Sequence, residues 1–303
     1  MRNIFAAVSH KGGTGRSVTV ANVAYRLALK KLDICCVDLD LTSPTLGSVF
    51  GMGKYQAGAA NKGQQVAPIS VFDLLNRDND GTIVLNQWEN SLVDIWTQTS
   101  EDLEEPAIKP RFMLLPGLAN ADMRQLDLGR LQDLLKRLSE SFDIVFLDVR
   151  SGNSEIADRL LSADCDEHIN CWLIHFRWTR QHLAGVGNYV ESFLRDTAKR
   201  FKGRLFLVST AFPPSFDRAG PGLQSLLVEY NKGLETRLEE LLRRLGFEGE
   251  RPLGPVPFEE LLLWKETVIT RDMVERHIAQ DATAKGFEQI TEWVEARFRD
   301  CAT

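Results

Sequence analysis

The sequence predicts an α/β fold, a doubly wound and mainly parallel sheet with helices on both faces, and three observations carry that expectation. Apolar runs of strand length alternate with longer segments of helical period, the pattern of parallel strands joined by crossover helices. The first apolar run passes through a glycine-rich turn straight into a helix-period segment. Two later runs end in aspartate, at Asp38 and Asp148, so carboxylates collect where strands stop. In such sheets ligands sit beyond the carboxyl ends of the strands.

Taken in order, strands are expected over 4–8, 34–37, 112–115, 144–147, 169–174 and 205–208, with a short one ending near Val256. Helices are expected over 17–32, 128–141, 155–162, 181–201, 223–245 and 273–299. The region 51–105 is the least regular: Gly58 to Gln65 reads as a mobile loop, and the acidic turn Glu101 to Pro106 as a solvated one. No repeat or linker divides the chain, so a single domain over 1–303 is expected, with an irregular insertion around 51–105.

Composition sets the outer limits. The 303 residues are 44% hydrophobic and 26% charged, enough for a large core, and the net charge of -6 argues against gripping nucleic acid through overall charge. Cysteines at 35, 36, 165, 171 and 301 have neither the number nor the spacing of a disulfide framework or zinc site, which fits a reduced, cytoplasmic setting. The apolar start leads into the glycine turn rather than a cleavage region, and no run has the length of a membrane span.

The chemistry begins at His10-Lys11-Gly12-Gly13-Thr14-Gly15-Arg16-Ser17, followed by the helical Val18-Thr19-Val20-Ala21. Strand, glycine turn and helix are the setting a phosphate cradle needs. Glycines let backbone N–H groups converge on phosphate oxygens, and the helix start adds unpaired donors and the positive end of its dipole. Ser17 places a hydroxyl where it can meet magnesium. Downstream, Asp38 and Asp40 leave the end of a buried strand, where an unpaired charge is costly and calls for a cation or donors. Residues 142–148 form an apolar run that ends in Asp148. Simpler readings stay open: Lys11 as a solvated lysine, Asp38 and Asp40 as a cap and turn, Asp148 as a cap for the helix near Glu155.

The cradle resembles the deviant Walker A motif, Lys-Gly-Gly-x-Gly-Lys-Ser/Thr, of the ParA/MinD family of P-loop ATPases, and the run ending in Asp148 resembles Walker B. The resemblance implies ATP and Mg2+ as ligands. It assigns nucleotide contacts to Lys11, Gly12, Gly13, Thr14, Gly15, Arg16, Ser17 and Val18, and magnesium to Ser17, with Asp38 and Asp148 acting through its outer shell. Lys11 would reach the partner's phosphates across a nucleotide-sandwich homodimer, and Asp40 would orient the attacking water.

Three departures from the family's pattern matter. Arg16 stands in place of the lysine, and its planar fork is bulkier than an ammonium, while His10 stands where the ordinary phosphate loop has its first glycine. Arg16 then either holds the β- and γ-phosphates or turns outward. The family's proline- and glycine-rich turn after Walker B is replaced by Val149-Arg150-Ser151-Gly152. Where relatives carry an adenine-reading asparagine, Ser209-Thr210-Ala211 stands, so adenine is implied by the resemblance alone.

Two functions follow from the resemblance. One is a slow, partner-stimulated ATPase that positions or partitions a cargo; Lys11, Arg16 and Asp40 are its catalytic candidates. The other is an adaptor or sensor that binds nucleotide with little or no hydrolysis. An activating or cargo protein is implied, unidentified. Non-specific DNA has a candidate surface in Arg195, Lys199, Arg200, Lys202 and Arg204, which can equally be a solvated face. The mixed, acidic face of the last helix argues for packing on the sheet rather than for membrane binding. Iron–sulfur scaffold relatives carry a late Cys-x-x-Cys, which this sequence lacks, and the kinase relatives' tyrosine-rich tail is also missing.

Overall fold

A computed structural model describes residues 2–40, 43–52, 69–76, 88–99, 102–118, 126–152, 155–160, 165, 167–195, 203–211, 221–244 and 251–302. Its elements are β1 (Ile4–Ser9), α1 (Arg16–Leu29), β2 (Ile34–Leu39), α2 (Leu46–Val49), α3 (Val71–Leu75), β3 (Val93–Asp94), α4 (Ile95–Gln98), β4 (Phe112–Leu115) and α5 (Leu128–Ser141). They continue as β5 (Ile144–Val149), α6 (Glu155–Leu160), β6 (Ile169–Arg177), α7 (Arg180–Arg195), β7 (Leu205–Thr210), α8 (Pro221–Arg244), α9 (Leu261–Trp264), α10 (Arg271–Glu275) and α11 (Asp281–Ala302).

The sheet runs β3-β4-β2-β5-β1-β6-β7. Every pairing is parallel except the short β3–β4 pair at one edge. The six parallel strands are nearly continuous apolar runs because both sheet faces are covered. On one face α1, α2 and α11 bury Val20, Val23, Leu27, Leu46, Phe287, Ile290 and Val294 against Phe5, Ala7 and Cys36. On the other, α5, α7 and α8 bury Leu134, Leu138, Val186, Val190 and Leu238 against Ile4, Ala6 and Val8. Burying each large aliphatic of this kind contributes about 1.5–3 kcal/mol. The apolar face of α11 therefore lies on α1, and its Trp293 ring stands 4.4 Å from that of Phe206.

Apart from β4, the parallel strands are longer than the apolar pattern predicts. β2 and β5 carry their aspartates inside the ladder, with Asp38 level with Asp148, because a backbone ladder ignores side-chain polarity. The strand expected near Val256 is reduced to a bridge from Leu253 to Val208, since Pro255 and Pro257 lack the N–H that would extend it. The helix expected over 273–299 is two helices. The chain breaks at His277, with φ of 58°, and α11 starts afresh where Glu259 accepts from Gln280 N at 2.8 Å. In the region 51–105, β3 and α4 emerge although no periodicity announced them, while the loop expected at Gly58 to Gln65 lies outside the described residues.

Candidate functional site

β1 delivers the chain to the centre of the sheet, and the turn that follows is shaped by glycine. Gly13 and Gly15 hold φ of 73° and 70°, a left-handed conformation that other residues adopt only under strain. Gly15 is the N-cap of α1 with no side-chain cap, so no side chain claims the first-turn N–H groups and they face the cradle. The turn is fastened from outside. Thr210 at the end of β7 donates to the Thr14 carbonyl, and Gly152 N donates to the Ser9 carbonyl at 2.8 Å. The turn after Asp148 is thus hydrogen-bonded to the strand that carries the cradle.

His10 has a lodging that the sequence does not announce. A Cβ at Gly185 on α7 would lie 2.3 Å from its ring, so the imidazole rests where α7 lacks a side chain, 6.0 Å from the Tyr189 ring. Beside it Lys11 is half-buried and forms no ion pair among the described residues.

Arg16 turns inward. The residue is 6% exposed; Nε donates to Asp148 Oδ1, Nη2 to Asp40 Oδ2 at 3.3 Å, and Nη1 to Ser9 Oγ at 3.3 Å. Burial works against its charge, but the carboxylates of Asp148, Asp40 and Asp38 outweigh burial and raise its pKa. Such a pair is a strong structural commitment, because removing one partner of a buried ion pair costs about 3–5 kcal/mol.

The other candidates converge on the same strand ends. Asp38 is buried and accepts from Leu46 N at 3.0 Å and Asp40 N at 3.1 Å, which shapes the turn into α2. Burial first, then the neighbouring Asp148 charge, pushes its pKa well up. Gly117 leaves room for this turn, since a Cβ there would lie 2.9 Å from the Asp38 carbonyl and from Pro44. Thr45 donates its hydroxyl to Ser17 Oγ at 2.9 Å, joining the start of α1 to the segment after Asp40. Asp148 Oδ2 is buried with no hydrogen-bond partner. A buried carboxylate oxygen without a partner has the hard-oxygen chemistry that suits a hydrated magnesium ion.

Three features here escaped the sequence reading. His175 on β6 is level with Ser9, buried, and makes no hydrogen bond through either ring nitrogen; burial first, then Arg16, lowers its pKa to about 3, so it is neutral. Its only signal in the sequence is a polar residue late in an apolar run. Arg177 and Glu266 line a cavity of about 220 Å³ with Gly13, Thr14, Gly15 and Val18. Of the basic cluster, residues 196–202 lie outside the described residues. Arg204 is engaged by the Asn170 carbonyl at 3.0 Å and by that of Ile169.

A family model described as ParA, NUBPL iron-transfer P-loop NTPase, matches residues 1–86. The cytosolic Fe-S cluster assembly factor CFD1 of Candida albicans is 34% identical over 82 residues, 27% of this chain and 26% of that protein. The chain thus aligns with about a quarter of that relative's length. Solved structures match almost throughout. The MinD cell division protein of Aquifex aeolicus superposes with a TM-score of 0.63 at 14% identity, covering 97% of each chain. The septum site-determining protein MinD of Pyrococcus horikoshii, complexed with Mg-ADP, gives 0.56 at 16%, covering 97% of this chain and 96% of its own. At these identities the structures establish the fold.

Proposed function

The chain is a ParA/MinD-type P-loop NTPase, and from that premise we propose that it is a nucleotide-timed switch. It binds a nucleoside triphosphate, ATP by the resemblance, together with Mg2+. It pairs with a second copy around the nucleotide, hydrolyses it slowly under stimulation by a partner protein, and uses the cycle to position or partition a cargo. Residues 1–303 act in this as one domain. The observation that carries the proposal is the convergence of Ser17, Asp38, Asp40 and Asp148 on the glycine cradle at the ends of β1, β2 and β5.

Each residue has a task that follows from its setting. Backbone N–H groups of Gly12 to Ser17 hold the phosphates, and Val18 lines the adjoining cavity. Magnesium, when bound, neutralises charge on the phosphate oxygens. Ser17 would hold it, with Asp148 Oδ2 reaching it through water and Asp38, fixed by Leu46 N, in the same outer shell. Arg16 starts on Asp148 and Asp40; phosphate oxygens offer its fork an equivalent bidentate partner. When Arg16 moves to phosphate it leaves Asp40 Oδ2, which then orients a water while Ser43 N still holds Oδ1, so occupancy of the cradle and readiness of Asp40 are coupled. Lys11 is left to reach the partner's phosphates.

A second reading draws on the same ion pairs. If Arg16 stays on Asp148 and Asp40 with nucleotide present, both carboxylates remain occupied, and the protein is a binding adaptor with little turnover. Fe-S cluster assembly, which the name of the CFD1 relative states for that protein, finds no matching cysteine pair among the described residues. Cys35, Cys36, Cys165 and Cys171 are buried, and among the described residues no group of three or more His, Cys, Asp or Glu is placed to hold a metal.

Turnover by the native chain and by Arg16→Lys separates the two readings. We expect slow but measurable hydrolysis by the native protein, and an Asp40→Ala variant that retains bound triphosphate for longer. Hydrolysis in the lysine variant alone would establish the adaptor. An unchanged nucleotide lifetime in Asp40→Ala would remove Asp40 from the reaction.

A further inference from the structure

Four polar residues share one face of the sheet beneath the cradle. Side chains alternate between the faces of a strand. Phe5 and Ala7 on β1, like Cys171 and Leu173 on β6, face α1, so Ser9 and His175, which are level with each other, continue onto that face. Cys36 on β2 and Phe146 on β5 place Asp38 and Asp148 there in the same way. Because β2, β5, β1 and β6 are neighbours, the order across the sheet is Asp38, Asp148, Ser9, His175. Arg16, in the first turn of α1, lies over this row.

The guanidinium uses only part of the row. Its hydrogen bonds go to Asp148, Asp40 and Ser9, and none reaches His175. A guanidinium has five N–H donors, more than these three bonds employ. His175 is the opposite case: it is 1% exposed, and neither ring nitrogen has a partner among the described residues. A buried polar group left unmade keeps its full desolvation penalty, so such a residue calls for a state in which it is paired.

We propose that His175 is a positioning residue for Arg16, and that one of its ring nitrogens accepts from the guanidinium when Arg16 exchanges the two carboxylates for phosphate. The inference rests on the nucleotide reading above and adds the fourth member of the row to it. An uncharged acceptor is what this second position requires. Asp148 and Asp40 compete with phosphate for the positive charge, whereas a neutral imidazole fixes the fork and leaves the charge to the phosphate. Burial and the Arg16 charge both keep the ring neutral, with one nitrogen as acceptor.

Calorimetric titration of the full chain with a slowly hydrolysed ATP analogue plus magnesium, alongside the Tm without nucleotide, tests this. His175→Phe keeps a ring but removes both nitrogens. It should weaken analogue binding on the order of tenfold, the worth of one hydrogen bond to a charged group, at unchanged or raised Tm. In an Arg16→Lys background, where the fork is absent, the same change should cost almost nothing, because coupled residues are not additive. His175→Gln, which retains an acceptor, should recover most of the affinity. If the phenylalanine variant does not fold, His175→Leu, which cannot overpack the site, carries the same comparison. Unaltered affinity, an equal loss in both backgrounds, or a glutamine variant as weak as the apolar one overturns the inference and leaves the nucleotide reading standing. Absence of analogue binding by the native chain overturns the nucleotide reading and the inference with it.

Discussion

Two buried polar residues below the cradle, Arg16 and His175, set its electrostatics. With Arg16 permanently charged beside it, His175 stays neutral in the fold at any pH where the protein works, whereas in the unfolded chain it titrates near the ordinary value. Its folded pKa of about 3 lies below the unfolded one, so the stability it contributes is present above about pH 6.5 and is lost as pH falls from there toward 3. The slope approaches about 1.4 kcal/mol per pH unit in that window. Urea unfolding at pH 7 and pH 5.5 should therefore show a larger loss for the native chain than for His175→Gln. Equal losses would place the acid sensitivity elsewhere.

Elements decide how much of this could be read beforehand. β1, β4, α1 and α5 were legible because period and apolar content agree with their tertiary setting, and the motif residues Lys11 to Ser17 were legible because glycine spacing reports backbone geometry directly. The break at His277 was not, since it depends on Glu259 capping α11 from a distant turn. Nor was the inward turn of Arg16, which follows from the register that sets Asp38 beside Asp148. Gly185 is the sharpest case: within α7 it reads as a mere weakness, and only the packing shows His10 lying over it. Gly185→Ala should gain up to about 1 kcal/mol of helix propensity while displacing His10 and loosening the cradle. Weaker nucleotide binding at unchanged or raised Tm is the expected signature. Unaltered affinity would show that the cradle does not depend on the seat of His10.

At the scale of the whole molecule, the arrangement is asymmetric in charge. Arg16 faces inward onto three carboxylates, whereas Lys11 sits half-buried on the same turn and forms no ion pair among the described residues. On the proposed switch, a second copy that brings its own nucleotide to this face would supply the anion that Lys11 lacks. The molar mass by light scattering should then stay at one chain with a diphosphate and double with a slowly hydrolysed triphosphate analogue plus magnesium. Lys11→Ala should abolish the doubling yet leave diphosphate affinity within a few-fold, because the backbone donors of the cradle remain. A constant mass in the native chain would remove the sandwich switch. Doubling that survives Lys11→Ala would keep the dimer but assign its cross-contact to another residue.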